Sequence, residues 1–294
     1  MSASSRLAAA LPLSFIPLSL FFAACTREPP VDYSAQIDAL REQTLANLRR
    51  VEGGTFLMGD QRSLLDNLYF TLGTNNKPAF QVTLDTFYMG AYEVSYGEHD
   101  LYTAVNGLPR TVDYEWAWRE GWREPEYPAG VSWHGAKGYC LWLAEITGLP
   151  FDLPTEAQWE FAARNRGEVI PFATDDGTIR VGENFRDGRF EPYHPHPPGT
   201  YPPNPLGIYD LSGNVIEWVN DWYAEDYYQW AQQYNPQGPS TGEAKVLRGG
   251  SFGESPSGAN VFTRQLQADL EYDFGPAGVR CVLNLDVLPL DTTP

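Results

Sequence analysis

LPTEAQWEFAAR, residues 153–164, is the stretch from which the rest of the chain is read. Pro154 stiffens the approach, Thr155 offers a hydroxyl N-cap, and Gln158 stands three residues on, the spacing of a capping box. A helix is predicted from there to Arg164. Upstream, Ser132 to Thr147 puts Ala136, Tyr139, Cys140, Leu143 and Ile146 on one helical face, with Ser132 to cap its start and Gly148 its end. Downstream the pattern changes. LSGNVIEW (211–218), LRGGSF (247–252) and GVRCV (278–282) are short apolar runs set beside turn residues, and Pro171 to Pro205 is loop-like. Before the helices, GGTFLMG (53–59) reads as a strand between turns and FQVTLDTFYMGAYE (80–93) as one or two strands. Few helices, all early, followed by short strands and long loops make an α+β chain with little regular structure. The 27 Gly and 24 Pro agree with many fixed turns.

The chain has 294 residues, is 43% hydrophobic, and carries nine Trp, 17 Tyr and 15 Phe, enough apolar surface for one large core. Its formal charge of −18 repels phosphate backbones, and no basic cluster offsets it locally, so nucleic acid is excluded as a partner. Cations or a basic protein surface suit it better, and acidity for solubility alone is the plainer alternative.

Residues 1–24 read as a signal peptide: Arg6 is the only charge, and the apolar run from Leu7 to Ala24 is broken by Pro12 and Pro17. It ends Phe22-Ala23-Ala24-Cys25, which resembles a bacterial lipobox with Cys25 as the lipidated residue. Thr26 behind it resembles outer-membrane sorting. The alternative is ordinary cleavage after an alanine, leaving a free periplasmic protein. A polar tether follows, then Ser34 to Val51 with Ile37, Leu40, Leu48 and Val51 spaced as an amphipathic helix, capped by Ser34 or Asp32. Four parts result: a signal peptide (1–24), an anchor, tether and helix (25–51), the main domain (52–286) and a tail (287–294).

The segments GGTFLMG (53–59), FYMGAYEVS (87–95), VSWHGAKGYCLWL (131–143), LPFDLPTEAQWEFAAR (149–164), NPLGIYDLSGNVIEW (204–218), VLRGGSF (246–252) and GVRCV (278–282) together resemble the formylglycine-generating enzyme, or sulfatase-modifying factor, family. The resemblance covers most of residues 52–285 and implies a C-type-lectin-like fold. It also implies chemistry this chain lacks. The founding enzymes oxidise a substrate cysteine with two copper-binding cysteines, and soft copper needs thiolates. Those positions fall near Glu254 and Ala259, and no cysteine lies between 141 and 280. Neither copper nor the iron of the family's histidine-based branch is expected.

The resemblance places Cys140 and Cys281 where family enzymes carry a structural disulfide; two buried thiols are the alternative. It places a calcium loop at Asp210, Gly213, Val215 and Glu217, whose hard oxygens suit Ca²⁺; a plain turn with a buried hydrogen bond is the alternative. Gly249-Gly250-Ser251-Phe252-Gly253 fits a hydrolase G-x-S-x-G pattern, but Gly253 to Gly258 is poor helix, so a structural turn explains it better. His194-Pro195-His196-Pro197 reads as a rigid exposed loop. Trp116, Trp118 and Trp122 form either a binding ridge or core. Arg248, Arg264 and Arg280 are expected in internal charge-assisted hydrogen bonds.

Two functional classes follow. One is a non-catalytic outer-membrane lipoprotein, facing periplasm or surface, that binds a protein partner. That partner belongs to a surface or secretion assembly, or is a toxin such as a type VI effector to which the protein gives immunity. The other is a divergent, cysteine-independent enzyme with a pocket at Ser251, Glu254 and Arg264. A carbohydrate-binding module follows only from analogy of fold.

Overall fold

A computed structural model describes residues 31–61, 73–111, 123–186, 194–273 and 276–288. The signal peptide, Cys25, and Trp116, Trp118 and Trp122 lie outside the described residues. In chain order the first elements are α1 (Ser34–Ala46), β1 (Leu48–Val51), β2 (Gly54–Met58), β3 (Phe80–Leu84), β4 (Phe87–Gly90) and α2 (Tyr96–Val105). Then come α3 (Trp133–Thr147), β5 (Phe151–Asp152), α4 (Glu156–Ala163), β6 (Ile216–Trp222), β7 (Lys245–Arg248), β8 (Gln265–Gln267), β9 (Ala277–Gly278) and β10 (Val282–Leu283).

The two helices read from caps form as expected. Ser132 Oγ accepts from the Gly135 amide, and Gly148 closes α3 at φ 69°. Thr155 and Gln158 exchange their side-chain and backbone bonds at 3.0 and 3.2 Å. The N-terminal helix is shorter than the sequence suggests. Tyr33, without a side-chain cap, starts α1, and the helix stops at Ala46 instead of Val51. Asn47 closes the last turn, and β1 pairs antiparallel with β4, Val51 opposite Phe87. Val51 is fully buried there, so its β-branched side chain is better placed in a sheet than on a frayed last turn. The helix α2 went unread; Ser95 and Glu98 form its capping box, and Tyr96, His99, Tyr102 and Thr103 are buried along it.

Among the described residues, two four-stranded sheets, β1-β4-β10-β5 and β8-β7-β6-β9, and the antiparallel pair β2-β3 make up the β structure. One core forms around α3, with Tyr139, Leu143, Phe151, Trp218 and Val279. The other forms around α4, where Trp159 and Phe161 meet Met89, Val219, Val246 and Phe262. Cys140 on α3 and Cys281 just before β10 are disulfide-bonded, their Cα atoms 5.6 Å apart. No helix among the described residues is long and apolar enough to cross a membrane.

Candidate functional site

Helix α4 carries a buried charge stripe: Glu156, Glu160 and Arg164, one turn apart, are each within 1% of full burial. Glu160 accepts from Arg164 at 2.8 Å, from Arg248 on β7 at 2.6 Å, and from the Gly59 amide at 2.8 Å. Glu156 accepts from Arg264 at 2.6 and 3.0 Å and from the Tyr228 hydroxyl at 3.2 Å. Arg280 is paired with Glu217 on β6. All three arginines therefore make the internal bonds expected of them, and their carboxylate partners keep those charges compensated away from water.

These pairs fix the loops that follow. Gly249 and Gly250 turn the chain at φ 99° and 69°, left-handed conformations. A Cβ on Gly250 would also stand 2.7 Å from the Gly258 backbone. Gly213 donates to the Gly249 carbonyl at 2.9 Å and Phe252 to the Asn214 carbonyl at 2.6 Å, sewing the 210–217 loop to the 248–252 loop. Among the described residues no helix follows Ser251; the Glu254 amide closes a tight turn onto the Ser251 carbonyl instead. The glycine-serine motif is thus a structural turn.

Glu254 folds back over Gly258, its carboxylate standing where a side chain at that position would be. Gln265 donates to both carboxylate oxygens at 3.1 Å, and partial burial raises the acid's pKa above its ordinary value. Ala259, next to it, is fully buried, and its carbonyl accepts from Ser212. Glu254 and Ala259, near which the resemblance puts the family's thiols, are therefore neighbours in one loop, a carboxylate and a methyl group. Of the enzyme-like set Ser251, Glu254 and Arg264, Arg264 is paired with Glu156 and Glu254 accepts from Gln265, the residue after Arg264.

The 210–217 loop holds a second carboxylate group, which sequence reading caught only in part. Asp210 (φ 62°) accepts from the Gly199 amide at 2.7 Å, and burial pushes its acid up to about 6. Glu93, unnoticed in the sequence, accepts from Asn214 at 2.5 Å and from the Val215 amide at 3.2 Å. Full burial, then the nearby Asp210 and Glu217, push its acid well above the ordinary range. Its only signal was a carboxylate ending the aromatic run before Val94. Glu217 uses both oxygens on Arg280 and accepts from the Trp159 indole at 2.8 Å. Of the calcium loop the resemblance implies at Asp210, Gly213, Val215 and Glu217, Glu217 has both oxygens on Arg280 and Asp210 holds the Gly199 amide. No three His, Cys, Asp or Glu side chains among the described residues converge as a metal-holding group. His194 and His196 are partly buried, not exposed; His196 faces Tyr201 and contacts Arg186 at 3.1 Å.

Comparison with known proteins bears on this loop system. Residues 34–285 match the sulfatase-modifying factor enzyme 1-like domain. The chain is 32% identical over 250 residues to the serine/threonine-protein kinase pkn1 of Chlamydia pneumoniae, a match covering 77% of this chain and 36% of that protein. It is 33% identical over 214 residues to the formylglycine-generating enzyme of Streptomyces coelicolor, covering 64% of this chain and 65% of the enzyme. The chain thus spans little over a third of the one and just under two thirds of the other. Its fold is that of PvdO from Pseudomonas aeruginosa, at a TM-score of 0.65 and 24% identity over 81% of this chain and 94% of that one.

Proposed function

Since the chain belongs to the sulfatase-modifying factor enzyme 1-like domain family, we propose that it is a non-catalytic member, an envelope lipoprotein whose domain binds a protein partner. One observation carries this reading. The domain's two cysteines are bonded to each other, and no cysteine stands near Glu254 and Ala259, where the resemblance puts the thiols of the family's chemistry. The loop is tied to its neighbours by backbone bonds, so it offers a fixed surface. The match to part of a protein named as a kinase agrees with a module serving other machinery. The anchor at Cys25 and the envelope location belong to this proposal, as do a secretion or surface assembly, or a periplasm-delivered toxin, as the source of the partner.

The test is to supply the purified protein with copper and a cysteine-bearing sulfatase peptide and weigh the peptide by mass spectrometry. An unchanged mass is expected; loss of the thiol with gain of an aldehyde would overturn the non-catalytic reading. Glu254 favours a second reading, a cysteine-independent enzyme, because its raised pKa suits a proton-transfer group. On the non-catalytic reading Glu254→Ala stays folded and leaves the cellular phenotype unchanged; a lost phenotype with the fold retained would favour the enzyme.

A further inference from the structure

A cleft of about 790 Å³ opens away from the thiol-position loop, at the end of the first sheet. Glu52 enters it just after β1, Thr86 just before β4, and Asn284 just after β10, while Thr155 and Gln158 bring the start of α4 to its wall. Its lining is mainly polar, with Leu84, Leu153 and Leu285 set among the polar side chains. Glu52, Asp85, Asp152 and Asp286 contribute carboxylates, and Gln158, Asn220, Asn235, Gln237 and Asn284 contribute amides. No lysine, arginine or aromatic ring is among the described lining residues.

Carboxylates alone would not make a site; the concavity and the amides beside them decide the ligand class. Asp85 is fixed in place: the Tyr234 hydroxyl donates to it at 2.5 Å and the Asn235 amide at 2.8 Å. Those bonds hold its carboxyl below the ordinary range, so it stays ionised. Asp152 is neutralised by Lys137. Among the described residues, Glu52 pairs with Arg166 at 3.4 Å and Asp286 with Arg50 at 3.7 Å, between exposed side chains whose pairing holds little. Among the described residues, the side-chain amide nitrogens of Asn220 and Asn284 and the side-chain amide oxygen of Gln237 make no hydrogen bond within the protein. Two free donors and one free acceptor lining one cleft can meet the N–H and C=O groups of an extended peptide backbone. Exposed carboxylates beside them match cationic side chains. A sugar ring would find no aromatic face among the described lining to stack on. The net charge of −18 draws the same cationic partner from a distance.

We infer that this cleft receives an extended, lysine- or arginine-bearing segment of the partner protein, its backbone met by the amides and its cations by Glu52, Asp85 and Asp286. The inference rests on the partner-binding reading and adds the place and the chemistry.

The probe is a fluorescein-labelled octapeptide of alternating lysine and alanine, titrated by anisotropy against the full chain in detergent. Glu52→Gln with Asp286→Asn removes two exposed cleft charges. Asp269→Asn with Glu271→Gln removes two charges outside the cleft and controls for net charge. The cleft pair is expected to weaken binding roughly tenfold, the control pair less than about twofold. A glutamine-for-lysine peptide is expected not to bind. Equal losses in both variants, equal binding of the neutral peptide, or no binding of the lysine peptide would each overturn the cleft assignment. If a partner is captured from the envelope and its binding ignores the cleft pair, the cleft assignment fails while partner binding stands. If no partner is captured, partner binding itself fails.

Discussion

Arg280 grips Glu217 from one side, Nη2 to Oε1 at 2.6 Å and Nε to the two oxygens at 3.0 and 3.2 Å, with both side chains almost wholly buried. The same guanidinium donates to the Gly90 and Tyr209 carbonyls at 2.9 and 2.8 Å, so it ties β4, β6 and the 209–217 loop to one point. Removing it leaves Glu217 buried without its cation, close to Glu93 and Asp210. Arg280→Ala is expected to lower unfolding free energy by about 3–5 kcal/mol, read from urea denaturation. A loss below about 1 kcal/mol would show that the pair is not the tie it is taken for.

Because Arg280 occupies Glu217, calcium is expected to leave the melting temperature where chelator leaves it. A ligand bound only by the folded state raises stability with concentration, so a calcium-dependent rise in differential scanning fluorimetry would reveal a site. That outcome would mean the 210–217 loop can rearrange and return Glu217 to the ion.

The Cys140–Cys281 bond closes a separation of 141 residues. Loop-closure entropy sets an upper figure of about 5 kcal/mol for its contribution. The double variant Cys140→Ala, Cys281→Ala is expected to lose about 3–5 kcal/mol in urea while keeping its far-ultraviolet circular dichroism. An unchanged midpoint would place the stabilisation elsewhere.

His99 gives a pH dependence with a definite sign. Burial, before any other influence, lowers its pKa from 6.5 to about 4 in the folded protein, where Tyr102 and Tyr139 pack on the ring. Between those values the unfolded chain takes up a proton that the folded one refuses, so this contribution to stability falls as pH drops from 6.5 toward 4, by at most about 3 kcal/mol. Asp210 and Asp221, pushed up by burial to about 6 and about 7, act oppositely: they favour the fold at low pH and lose that advantage as pH rises through those values. The difference between wild type and His99→Phe isolates the histidine. The variant is expected to gain on wild type steadily below pH 6.5; a pH-independent difference would show that His99 does not titrate there.

What the sequence revealed and what it hid follow from the range of each interaction. Caps are local, so Ser132, Gly148, Thr155 and Gln158 could be read directly, and the same logic would have found α2 had Ser95 and Glu98 been given the same weight as Thr155 and Gln158. Leu48 to Val51 continued a helical spacing, and only its distant partner β4 makes it a strand. Glu93 and Glu217 are 124 positions apart in the numbering yet share one buried network around Arg280. No local pattern announces such a meeting. The acidic cleft was invisible for the same reason, since its walls come from six separate stretches of chain.

The direct measurement is cross-linked capture of the tagged, full-length protein from its own envelope, with the captured proteins identified and quantified by mass spectrometry. A single protein recovered in near-stoichiometric amount, and lost when the cross-linked sample comes from cells with that protein deleted, is the predicted result. A folded, abundant bait that returns no protein partner would contradict the central claim.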